Sequence, residues 1–177
     1  MIMPFTLFRA NGSTFTNKYE MEFNTNDGLA IQSAFQNFDK EVPDSEKIAT
    51  LLTIVSKQPE AGKSDFSRIA ALLYCIQNEN ILKWTDAQEK EVYSLGADDD
   101  SAIRTLLIDF WDMHQSGRDR IRIVSLLKDT SDQVRMHALI KIRKLPNANA
   151  IYTQYVQDNQ GETSRNSYKF ALRAIKP

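Results

Sequence analysis

The chain is poor in the residues that do covalent and metal chemistry. It has one cysteine and two histidines. A lone thiol excludes an internal disulfide and agrees with a reducing compartment. Cys75 sits inside the apolar run IAALLYCI, where a buried thiol is expected rather than a nucleophile. His114 and His137 have no partner at metal-ligand spacing. The longest apolar runs are too short to span a bilayer, so no membrane partner is expected. The opening MIMPFTLFRANG has no basic region ahead of its apolar residues and no small-residue cleavage site, which makes a cytoplasmic location the expectation.

Enzyme motifs are also missing. There is no HExxH, no CxxC, no Gly-x-Ser-x-Gly elbow and no glycine-rich phosphate loop. Gly62-Lys63-Ser64 imitates the end of such a loop but lacks its first glycine, and no strand pattern precedes it. Asp98, Asp99 and Asp100 form a carboxylate triplet before a helix, which capping and the helix dipole explain more simply than a cation site does. The expectation is a protein that is not an enzyme and needs no cofactor.

What is present is an ordinary globular composition. Hydrophobic residues make 42% and charged residues 25%, enough apolar surface to offset the entropy of ordering one domain over residues 1–177. Residues 1–26 stand apart: YEMEF alternates as a half-buried strand does, and Asn11-Gly12 suits a tight turn, so a small β-hairpin or an arm is expected. Residues 27–62 read as a helical pair. Its first helix carries Leu29, Ile31, Ala34, Phe35 and Phe38, and its second opens at Pro43 and buries Ile48, Leu51, Leu52 and Val55. Residues 63–177 read as further short helices. The first takes Ser64 or Asp65 as its cap, with Ile69, Leu72, Leu73 and Ile76 as its stripe, and Thr85 caps the next. About ten brief helices with short connections make an all-α chain.

Four of these helices carry an arginine near their starts: Arg68, Arg104, Arg135 and Arg165, at intervals of 36, 31 and 30 residues. Each follows a capping-type residue, in SDFSR, DSAIR, SDQVR and ETSR. Such an arginine points to the junction between hairpins, where a neighbour's acid is in reach. A lone hairpin cannot bury both faces, so hairpins at a fixed period must stack. The stretch SDQVRMHALIKI resembles the first helices of HEAT repeats, with their Asp-x-Val-Arg-x-x-Ala-Leu pattern. The likeness is good over 132–142, fair over 100–129 and loose over 64–95 and 162–175. It implies a short α-solenoid of stacked antiparallel helix pairs over roughly residues 64–177, its second helices lining a concave face.

The net charge of −1 hides a division. Residues 1–116 carry 10 Lys/Arg against 18 Asp/Glu, a net of −8, and residues 117–177 carry 12 against 5, a net of +7. A small helical chain with an acidic half resembles, in size and character, bacterial toxin-immunity proteins of the contact-dependent growth inhibition type. That resemblance implies a protein partner, a basic nuclease toxin domain above all, with Asp65, Glu89, Tyr93, Asp98 and Asp99 as contacts. Tyr152 and Tyr155 join them as aromatic candidates on a second helix, although burial between hairpins competes for at least one. The alternatives are a structural adaptor, or a nucleic-acid-binding HEAT-like protein, as some DNA glycosylases are. The latter would use Arg118, Arg120, Arg122, Lys128, Lys141, Arg143 and Lys144, a run interrupted by Asp119, Asp129 and Asp132.

Overall fold

The computed structural model describes residues 14–58, 66–114 and 117–175, the side chains of 114, 117 and 118 excepted. The described residues are all-α, with ten helices, three short 3-10 turns and no strand among them. The chain divides into two compact units, Met1–Tyr93 and Ser94–Pro177.

The first unit contains α1 (Thr14–Phe23), α2 (Gly28–Glu41), α3 (Asp44–Val55) and α4 (Phe66–Gln77), and reaches its limit near the end of α5 (Asp86–Ser94). Helix α1 packs on α2, α3 and α4, and α3 packs on α4. The segment expected as a strand is thus helical. Thr16, Tyr19 and Phe23 are buried at a spacing of three and then four, whereas alternation would bury Met21, which is 74% exposed. The Asn11-Gly12 turn, Ser64 and Asp65 lie outside the described residues.

Local chemistry sets the ends of these helices. Asp27 Oδ1 accepts from the N–H groups of Leu29 at 2.8 Å and Ala30 at 3.4 Å, capping α2. Pro43 precedes α3, and Asp44 and Glu46 favour its first turn. Asn24 Oδ1 accepts from the Phe66 N–H at 3.1 Å, so α4 begins against the residue that follows α1. Thr85 and Gln88 form a reciprocal cap on α5.

The core of this unit is aromatic. Tyr19, Phe23, Phe35, Phe38 and Tyr74 form a continuous cluster with centroids 4.9 to 5.7 Å apart, mostly edge to face. Ile48, Leu51, Leu52 and Val55 are buried beside it on α3, as their spacing predicts. Two expectations are corrected. Leu29 is 78% exposed in the first turn of α2. On α4 the buried face runs through Ala70, Ala71, Leu72, Tyr74 and Cys75, while Ile69, Leu73 and Ile76 are only half-buried. The face is rotated because α4 meets both α1 and α3, and because the Tyr74 hydroxyl donates to Asp39.

The second unit contains α6 (Ser101–His114), α7 (Gly117–Ser125), α8 (Asp132–Ile142), α9 (Ala148–Asp158) and α10 (Asn166–Ala174). Three 3-10 turns, Leu95–Ala97, Leu126–Lys128 and Gln160–Glu162, precede α6, α8 and α10. Alternate helices stack: α6 on α8, and α8 on α10. Helix α7 lies against α6 and α8, and α9 against α10. Ile103, Leu107, Ile108 and Phe110 of α6 meet solvent nowhere, nor do Val134, Ala138, Leu139 and Ile142 of α8. Ala138, one turn after Arg135, supplies the small residue that lets stacked helices approach. Helix α8 ends at Ile142, ahead of Pro146, which has no N–H to extend it.

Candidate functional site

Two of the three turns of the second unit repeat in atomic detail. The Asp98 N–H donates to Leu95 O at 3.0 Å, and 31 residues later the Asp129 N–H donates to Leu126 O at 3.1 Å. Each aspartate then folds its carboxylate onto the N–H two residues on, Asp98 to Asp100 at 2.9 Å and Asp129 to Ser131 at 2.8 Å. Each is followed by an arginine that reaches back to the turn. Arg104 donates to the carbonyls of Asp98 and Asp99, and Arg135 to that of Asp129 at 2.7 Å.

The free edge of each guanidinium goes forward to the next turn. Arg104 binds both Asp129 oxygens at 2.8 Å in a bidentate pair. Arg135 meets Asp132 at 3.0 Å and Glu162 at 3.5 Å. Asp132 also accepts from Ser167 and from the Asn166 N–H, which ties α8 to α10. Burial works to raise the Asp129 carboxyl, but hydrogen bonds from Arg104 and Ser131 outweigh it and hold the pKa below the usual carboxylate range. Asp132 is held low in the same way by Ser167 and Arg135 against its own burial.

Only two of the four sequence arginines share this register. Arg165 precedes α10 instead of lying inside it, and bonds Glu162 at 3.0 Å. Arg68 belongs to the first unit, where its Nε donates to Val55 O at 2.7 Å and satisfies a carbonyl at the end of α3.

A second charged row joins α6 to α8. Asp109 meets His137 Nε2 at 2.9 Å and Lys141 at 2.7 Å; Asp112 meets Lys141 at 3.2 Å and Lys144 at 2.9 Å. Burial disfavours the Lys141 ammonium, yet its bonds to Asp109 and Asp112 dominate and raise its pKa. The Asp109 carboxyl, half-desolvated, is nevertheless pulled low by His137 and Lys141. His137 thus makes its contact with Asp109 inside this row. Reading along the sequence missed Asp109 and Asp112. Their signal was the separation of 28 to 32 residues from their partners, close to the 31-residue repeat.

Beside this row lies a cleft of about 180 Å³ between α6, α7 and α8. Its apolar lining is Trp111, Ile123, Ile142 and Leu145. Its polar lining is Asp112, Arg120, Lys141 and Lys144. Arg120 is exposed and the Lys144 side chain is 68% exposed, whereas Lys141 is held between two carboxylates.

The residues singled out by sequence are spread over both units. Glu89 and Tyr93 lie on α5, both half-buried. Asp98 is half-buried and Asp99 exposed in the turn before α6. Asp100 Oδ1 accepts from the Ala102 N–H at 2.8 Å, the cap expected of the triplet. Asp65 and the side chain of Arg118 lie outside the described residues. Tyr152 and Tyr155 are corrected: they are 2% and 4% exposed and face inward. Tyr152 donates to Leu139 O at 2.9 Å, and Tyr155 to Ser167 Oγ at 2.8 Å, so both hydroxyls hold neighbouring helices and present no surface to a partner. Comparison with protein-family models, with curated proteins and with solved structures gives no match.

Proposed function

We propose that the chain is a non-enzymatic protein-binding module whose second unit is HEAT-like, and that its task is to neutralise a toxin domain by binding it. The HEAT-like reading draws support from the stacking of α6, α8 and α10 and from the turn repeated at Asp98 and Asp129. The binding reading rests chiefly on one observation, the density of carboxylates along the sequence from Asp86 to Asp100. This stretch carries six carboxylates against one lysine. Asp86, Glu91 and Asp99 are exposed, while Glu89, Asp98 and Asp100 are partly so. Arg104 clamps the backbone of Asp98 and Asp99, so this turn is ordered before any partner arrives. Preordering lowers the cost of association, and carboxylates in solvent speed the capture of a basic partner.

The decisive experiment is capture of the tagged chain from its native cell, with identification of what it holds. A basic toxin domain, lost when Asp99→Lys and Glu89→Lys are combined, is the expected result. Recovery of nucleic acid alone would reject the reading. The second reading, nucleic-acid binding, draws on the exposed Arg120, Arg143 and Lys144. It requires a gel shift with random duplex that weakens steeply as salt rises.

A further inference from the structure

We infer that the cleft between α6, α7 and α8 is a second binding site, which takes an acidic, aliphatic peptide segment of a partner protein. The inference rests on the protein-binding reading above and adds a surface of opposite sign to it. Two features of the cleft define the ligand. Its apolar floor meets solvent chiefly at the half-buried Leu145, with Trp111 and Ile123 almost covered beside it, so it receives the tip of an aliphatic side chain rather than a hydrated group. Its rim has three cations, but Lys141 is already shared between Asp109 and Asp112, and Lys144 also meets Asp112. Arg120 is exposed, and Lys144 points most of its length into solvent. The remaining capacity is for about one carboxylate, accepted by Arg120 and Lys144.

The same arrangement disfavours a nucleic-acid backbone. Duplex affinity grows with the number of phosphates neutralised. Here Asp112 stands among the cations, and Asp109 lies one turn away, so successive phosphates would meet carboxylates. An acidic residue beside an aliphatic one satisfies both the rim and the floor.

The test is a polarisation titration of the full chain with a short fluorescein-labelled peptide of alternating leucine and glutamate. A peptide of alternating leucine and lysine and a labelled DNA duplex form the parallel arms. The expected result is saturable binding of the acidic peptide, about tenfold weaker when Arg120→Glu and Lys144→Glu are combined, while the basic peptide binds the substituted chain no more weakly than the unsubstituted one. Absence of saturation, or binding indifferent to the two substitutions, overturns the site. Displacement of the acidic peptide by duplex also overturns it, in favour of a phosphate-binding surface. A toxin domain still captured by the doubly substituted chain is the expected result, because the acidic segment is intact in it, and the module reading is then judged apart from the cleft. Capture of nucleic acid alone rejects the module reading, and the titration then judges the cleft by itself.

Discussion

The two units solve the same problem with different chemistry. In the first, five aromatic rings occupy the centre, and polar atoms gather at the margin, where Tyr19 donates to Glu41 at 2.9 Å and Tyr74 to Asp39. In the second, aliphatic side chains fill the core and buried ion pairs fix the spacing of its turns, above all Arg104 with Asp129. Aromatic packing tolerates some variation in angle. A bidentate guanidinium pair admits one geometry, and here it ties the turn at Asp98 to the turn at Asp129. The difference teaches that in the second unit an ion pair holds two successive turns in register, while the described core of the first is held by ring packing.

The largest effects follow from removing the centre of each unit. Phe38→Ala, at a fully buried ring, should cost the first unit about 3–5 kcal/mol. Amide exchange would show lost protection across α1 to α4, and unchanged protection there breaks the comparison. Asp129→Asn keeps the turn, since the amide oxygen still accepts from Ser131, but leaves the Arg104 guanidinium without its counter-charge. About 3 kcal/mol should be lost from the second unit. Adding Arg104→Met should recover part of it in urea unfolding. A double variant weaker than Asp129→Asn alone would mean that the ion pair does not set the register.

The second unit was the more legible in sequence because its repeat is carried by unusual residues. Arg104 and Arg135 stand 31 positions apart, and the expectation that each reaches a neighbour's acid is met by Asp129 and Glu162. Arg165 departs from this register, because a count of arginines does not tell a residue inside a helix from one just before it. In the first unit, YEMEF has apolar residues at every second position and also at a helical interval. Only the tertiary partners Phe38 and Tyr74 select Tyr19 with Phe23 and leave Met21 outside. Tyr152 and Tyr155 read as surface candidates because their neighbours are polar. Their hydroxyls nevertheless find partners in α8 and α10, a pairing invisible to local pattern. The acidic half, residues 1–116, was visible at once, since charge needs no partner to be counted, whereas the cleft required three helices to converge.

Acid and alkali should separate the units more gently. Asp109, Asp129 and Asp132 have pKa values lowered in the fold, so their contribution is complete above the ordinary aspartate value near ~3.9. It is lost as pH falls through their folded values. In the Trp84→Phe variant, Trp111 reports on the second unit, and its emission should change below about pH 4. In the first unit burial and the bond to Glu41 push Tyr19 up to about 12, and burial pushes Cys75 to about 12 as well. Raised values work in the opposite sense: their contribution is full below the unfolded pKa and disappears as pH rises through the folded one. Tyrosine absorbance should therefore show a late-titrating class whose ionisation coincides with loss of the first unit. A second unit that survived acid better than the first would reverse the assignment of charge and aromatic packing.

The smallest effect concerns a single hydroxyl. Tyr155→Phe preserves the ring and removes the bond to Ser167, a group that itself donates to Asp132 beside Arg135. The loss should be about 1 kcal/mol, the usual worth of one buried hydrogen bond, and capture of a partner should be unaffected because the ring is 4% exposed. Tyr19→Phe, in the first unit, removes a bond to a carboxylate in contact with water, which solvates Glu41 in its place, and should cost less. The pair of substitutions thus measures how far polar atoms serve the interior of each unit. If Tyr155→Phe weakened partner capture at unchanged stability, the ring would belong to an interface, and the inward-facing role derived from Ser167 and Asp132 would be wrong.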